Sequence, residues 1–206
     1  MQCQRVPPFP LDKDGSLFKE VTGALRSAEP MNLEQLDALF CACATLRRHI
    51  HAHPEPGFEE TSTQKLLTTM LTDFVGVSAE AISTCAKTGL VVDMKGTAAP
   101  VTPNAGEPLV VALRADMDAL RMTEGNSWLP YKSQNEGVAH LCGHDGHMAS
   151  MICAAALINR KMAALPSNCT VRLLFQVYSQ KYSQKSKLNK RGQQGERERE
   201  RERERE

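Results

Sequence analysis

All six histidines of this chain fall in two short clusters. One is His49-Ile50-His51-Ala52-His53. The other is His140-Leu141-Cys142-Gly143-His144-Asp145-Gly146-His147. In the second, Cys142 offers a thiolate and His144 an imidazole, both good ligands for zinc or a similar first-row metal. Gly143 between them permits a tight turn, so two near neighbours can face one ion. Asp145 is placed to orient an imidazole from behind, and His140 and His147 are further candidates. On spacing alone a Cys-x-His pair is more often a buried cysteine beside an ordinary loop histidine.

Arg114-Ala115-Asp116-Met117-Asp118 is the second constellation. Two carboxylates two residues apart follow an apolar run, where sites form beyond the carboxyl ends of strands in open α/β sheets. Asp116 and Asp118 can support metals, ligand histidines or substrate. They can equally cap the next turn and pair with Arg114 or Arg121. Cys41-x-Cys43 reads as two small helix residues, because positions two apart do not share a helix face. Trp128 reads as packing or loop anchoring.

These residues need elements to hold them. Asn32, with Gln35 three residues on, predicts a capping box opening a helix that carries Leu33, Leu36, Leu39, Phe40 and Ala44. A second helix is expected over about 62–74. Gly89–Met94 reads as a strand, and Leu109–Ala115 as a buried strand ending at Asp116. A loop should present the His/Cys cluster at the N-terminus of an Ala-rich helix over 148–159, and 171–176 reads as a further strand. Helices interspersed with strands make the fold class α/β.

The chain has 206 residues, 41% of them hydrophobic and 24% charged, with a net charge of +1. A core can form, and no nucleic-acid partner is implied. Residues 1–30, with four prolines, read as a flexible leader, 31–176 as the domain, and 177–206 as a tail. The tail carries ten Lys/Arg against six Glu and ends in strict Glu/Arg alternation from Glu196. Such a stretch holds almost nothing to bury, and a translated (GA)n repeat would read the same way. The start lacks an apolar signal core, no run approaches the ~18 residues of a membrane span, and seven scattered cysteines do not read as a disulfide framework. A cytoplasmic setting without a membrane partner is the expectation.

Arg47-Arg48-His49-Ile50-His51-Ala52-His53-Pro54-Glu55-Pro56-Gly57-Phe58-Glu59-Glu60 resembles the opening signature of the amidohydrolase branch of the dinuclear-metal aminoacylase/carboxypeptidase family. That branch includes N-acyl-amino-acid amidohydrolases, hippurate hydrolases and auxin-conjugate hydrolases. Further similar blocks follow in the family's order: Thr88–Val91, Leu113–Leu120 with Glu124, Pro130–Ser133, His140–Met148 and Val171–Gln176. The resemblance implies part of an α/β/α sandwich of a zinc-peptidase-like catalytic domain. It implies hydrolysis of a small N-acyl amino acid or dipeptide-like substrate with two divalent ions, zinc or manganese. Cys142 and His144 match two metal ligands. Asp116 and Asp118 match acidic active-site positions, Asp118 with a supporting catalytic role. His51 and Glu55 match the opening signature, in a structural or near-site role.

The chain departs from the family after Gln176. There the family continues into Pro-Ala-Glu-Glu, one Glu acting as general base and the other as a metal ligand. Here Val177-Tyr178-Ser179-Gln180 stands instead. The general base, the later histidine ligands, and the lid domain with its homodimer surface are absent from the expectation. The chain is therefore expected to be truncated and inactive alone. The alternatives are a non-catalytic binding or regulatory fragment, or a mispredicted gene product.

Overall fold

A computed structural model describes residues 16–27, 29–100 and 108–177. The expected tail from residue 178, the first fifteen residues of the expected leader and most of the loop before residue 109 lie outside the described residues. Helix α1 (Ser16–Arg26) occupies the second half of the stretch read as a leader. It is anchored because Val21, Ala24 and Leu25, three and four residues apart on one face, are buried.

Helix α2 (Leu33–Ala52) opens with the expected capping box. The Asn32 side chain accepts from the Gln35 N–H at 2.8 Å, and the Gln35 side chain accepts from the Asn32 N–H at 3.0 Å. Helix α3 (Thr61–Thr69) runs on through a π turn over Met70–Val75 and stops at Gly76 in the left-handed region. Strands β1 (Ile82–Cys85), β2 (Gly89–Lys95), β3 (Leu109–Asp116) and β4 (Cys169–Gln176) form one sheet in the order β1-β2-β4-β3. The β1–β2 and β2–β4 pairs are antiparallel and β3–β4 is parallel. Helix α4 (His144–Asn159) lies in the connection between the parallel pair, as a parallel crossover requires.

The sheet register sets the core. Leu90 lies opposite Phe175 and Val92 opposite Leu173, all four buried. They join Leu39, Leu46 and Ile50 of α2 and Met148, Ile152 and Ala155 of α4 in one cluster. Alternate residues Val91, Asp93, Arg172 and Leu174 are only half-buried. Period-two alternation thus gives the sheet one core face. The run Leu109–Ala115, read as a buried strand, is instead an edge strand: Leu109, Val110 and Val111 are 57%, 47% and 50% exposed. Among the described residues β3 pairs only with β4, and only its carboxyl end, at Ala115, reaches the core. Trp128 is exposed rather than packed. No helix among the described residues is long and apolar enough to cross a membrane.

Candidate metal centre

The parallel β3–β4 pair ends at Asp116 and Gln176, and the Met117 N–H continues the ladder onto the Gln176 carbonyl at 2.9 Å. Asp116 and Asp118 therefore emerge at the carboxyl end of the sheet. Facing them, Gly143 at φ 89° turns the chain into α4, a backbone conformation that suits glycine. The helix begins at His144, four residues earlier than the sequence suggests, so His144 and His147 lie on its first turn rather than in a loop. Three residues apart, they share a face. His147 Nδ1 is 3.7 Å and His144 Nε2 is 4.0 Å from Asp116 Oδ2. One ligand atom from each of the three residues falls within a 4.8 Å group.

His144 is held in one orientation. Its Nδ1 is 2.8 Å from the Asp118 carbonyl and 3.1 Å from Asp118 Oδ1. A carbonyl only accepts, so Nδ1 carries the hydrogen, and in the neutral ring Nε2 presents its lone pair toward Asp116. Zinc binds imidazole nitrogen and carboxylate oxygen at about 2.0–2.2 Å. Donors of one ion then stand roughly 3–4 Å apart, which this group matches. The hydrogen bond to the Asp118 carboxylate, helped by the nearby Asp116 charge, raises the His144 pKa above its ordinary value against the opposing effect of burial. This corner of the protein therefore favours positive charge. Asp116 also pairs with Arg114, one of the two readings of this acid made from sequence.

Behind the group lies a buried polar layer. His51 Nδ1 is 2.9 Å from Asp145 Oδ2, and His51 Nε2 is 3.2 Å from Glu124 Oε1. Arg47 Nε donates to the same Asp145 oxygen at 2.9 Å. Asp145 is completely buried. Burial alone would push its pKa up, but His51 and Arg47 outweigh that and hold it below the ordinary value. Glu124 is likewise held down, the Ser133 N–H and His51 overcoming its desolvation. His140 is buried, neither ring nitrogen has a hydrogen-bond partner among the described residues, and burial pushes its pKa down to about 4.

Residues 112–178 match the family described as Peptidase family M20/M25/M40. The chain is 39% identical over 147 residues to the IAA-amino acid hydrolase ILR1-like 2 of Arabidopsis thaliana, covering 71% of this chain and 30% of that protein. It is 36% identical over 131 residues to the N-acyl-L-amino acid amidohydrolase of Geobacillus stearothermophilus, covering 63% and 31% respectively. A solved structure of the YxeP protein of Bacillus subtilis, described as a dinuclear metal binding peptidase from the M20 family, matches at 34% identity. Its TM-score is 0.58, with 69% of this chain and 36% of that one covered. The chain resembles part of an M20 family peptidase. It spans about a third of the length of the relatives it matches.

On this scaffold the residues singled out from sequence separate into groups. His144, His147 and Asp116 converge, with Asp118 behind His144. Cys142 is a free, exposed thiol on the turn before α4 and stands outside the group of three. Asp145 does hold an imidazole, but that of His51 from α2. The first histidine cluster divides by helix geometry. His49 and His53, four apart, stack with ring centroids 4.3 Å apart, while His51 points the other way into the protein.

Glu55 serves the fold. Its two oxygens accept the Ser62 and Thr63 N–H groups at 3.0 and 2.7 Å, holding the N-terminus of α3. Buried Glu60 accepts from the Thr88 hydroxyl at 2.5 Å, tying the opening signature to the block that starts β2. Sequence reasoning assigned no role to Arg47 or Glu124. Arg47 had a signal, standing four residues before His51 on one helix; Glu124, 73 residues from its partner, had none in local spacing. Cys41 is disulfide-bonded, so the reading of Cys41 and Cys43 as two ordinary helix residues holds for Cys43 alone.

Proposed function

We propose that the protein is a metal-dependent amidohydrolase acting on N-acyl amino acids or related small conjugates, and that this chain by itself binds a divalent ion without turning substrate over. The observation that carries the metal reading is the convergence of Asp116, His144 and His147 from two elements onto one small volume. Cys142, two residues before His144 in the sequence, is the further ligand that the family resemblance implies. Zinc or manganese bound there would polarise a carbonyl and activate water. Asp118 holds the His144 ring, and Arg114 pairs with Asp116, which would be free to bind an ion once that pair opens. The relatives' printed activities support the substrate class.

The inactivity reading rests on the carboxylates. General-base catalysis needs one positioned beside the reacting water. Among the described residues, Asp118 is committed to His144, Glu60 to Thr88, and Glu124 and Asp145 to His51. The four residues directly after Gln176, Val177-Tyr178-Ser179-Gln180, supply none.

Calorimetric titration with Zn²⁺ and Mn²⁺ tests the metal reading. Asp116→Asn should weaken binding at least tenfold, and Cys142→Ser should weaken zinc more than manganese, because thiolate suits the softer ion. Binding untouched by Asp116→Asn and by His144→Ala would move the site elsewhere. Assay of N-acetyl amino acids with added metal should give no turnover above the metal blank. Turnover at ordinary enzyme rates, of order 1–10³ per second, abolished by Cys142→Ala, would overturn the second half of the reading.

A further inference from the structure

The three residues of the metal group sit on two elements that have no covalent reason to stay in register. Asp116 closes β3, and His144 and His147 open α4, with 27 residues of loop between them. The 3.7 and 4.0 Å separations across the group depend on how the start of α4 is held against the segment after β3. Helix starts are usually fixed by a capping side chain. Here the N-cap is Gly143, and no side chain caps the helix. The His144 ring is held directly against Asp118, and further contacts must hold the rest of that end.

The buried imidazole of His51 supplies one. His51 lies in the last turn of α2, a third element that belongs to neither half of the group. One of its nitrogens meets Asp145, the residue between His144 and Gly146 on the first turn of α4. The other meets Glu124, which lies beyond Asp118 on the segment leaving β3 and also accepts the Ser133 N–H at 2.7 Å. Arg47, one helical turn before His51, holds the same Asp145 oxygen. The Asp145 and Glu124 side chains are 0% and 4% exposed, so water cannot take over these contacts.

We propose that His51 is a positioning residue for the metal group: it ties the acid-bearing segment after β3 to the histidine-bearing start of α4. This rests on the metal reading of Asp116, His144 and His147. The imidazole touches none of the three; its effect passes through Asp145 and Glu124. Loss of partners that orient metal ligands from behind typically costs 10–100-fold in affinity. His51→Ala also leaves two buried carboxylates without the imidazole between them, so the two segments keep the Asp118–His144 contact but lose the second tie behind it.

The test is titration of the full chain with Mn²⁺, together with the visible spectrum of the Co²⁺-loaded protein, whose bands report the number and geometry of ligands. His51→Ala and Glu124→Ala should each weaken Mn²⁺ binding 10–100-fold and alter the Co²⁺ bands. Glu124→Gln, which keeps an acceptor oxygen, should recover part of the affinity lost in Glu124→Ala. Leu67→Ala, in the core of α3, is the control. It should lower the thermal midpoint yet leave affinity and spectrum as in the unaltered chain. Should His51→Ala not fold, His51→Asn is read in its place, with an intermediate loss expected. Wild-type affinity and spectrum in the His51 variant overturn the proposal, as does an equal loss in Leu67→Ala. If the unaltered chain binds and Asp116→Asn abolishes binding while His51 substitutions do nothing, the metal reading stands and this one falls. If the unaltered chain binds no metal, both fall.

Discussion

At the scale of single residues, this protein repeatedly spends buried carboxylates on holding other groups in place. Glu60 is the most extreme. It is completely buried, one oxygen accepts from Thr88, and the other has no hydrogen-bond partner among the described residues. Burial is the largest influence on it and raises its pKa above the ordinary value of 4.5, with the nearby Asp118 charge adding to the effect. The folded state therefore binds the Glu60 proton more tightly than the unfolded chain does. By linkage this contribution to stability is full below the unfolded pKa and is lost as pH rises through the folded one. Glu60→Gln cannot ionise and escapes that loss. Denaturant unfolding of both proteins from pH 4 to 8 should show the variant gaining on the wild type as pH rises above about 4.5. Parallel stability curves would remove the argument.

At the scale of elements, α2 does more than pack. Its N-terminus is fixed by Asn32 and Gln35, its middle supplies Leu39, Leu46 and Ile50 to the core, and its last turns supply Arg47 and His51 to the buried polar layer. Misplacing its start should be felt along its length. Asn32→Ala removes the capping side chain and should cost about 1 kcal/mol, within the usual range of 0.5–2 for such caps, read as a lower denaturation midpoint with unchanged slope. No change in midpoint would mean that the tertiary packing of α2 alone sets its start.

At the scale of the whole molecule, the exposed edge matters most. Leu109, Val110 and Val111 lie exposed on β3, whose far edge is unpaired among the described residues. An exposed apolar edge strand is a template for pairing with another chain. The chain should self-associate with rising concentration, measured by light scattering or sedimentation. Val110 shares the face of Arg114, away from buried Ala115. Val110→Lys should therefore suppress association with a stability change within about 0.5 kcal/mol, as for other surface sites. Association unaffected by the lysine would place the sticky surface elsewhere.

Much of this was written in local sequence. The capping box at Asn32, the β-branched run Gly89–Met94, and the run Val171–Gln176 are short-range signals, and the elements appear where those signals stand. The second histidine cluster and the Asp116/Asp118 pair were legible as candidates from local spacing, and His144 and His147, three residues apart, share a helix face. Tertiary structure alone decided the rest. Whether Leu109–Val111 is buried depends on what lies beside β3, which its own residues do not encode. His147 rather than Cys142 joins His144 because α4 begins early enough to put both histidines on one face. The pairing of His51 with Asp145 and Glu124 spans 94 and 73 residues. No local spacing reports a contact that exists only once three separate elements have packed.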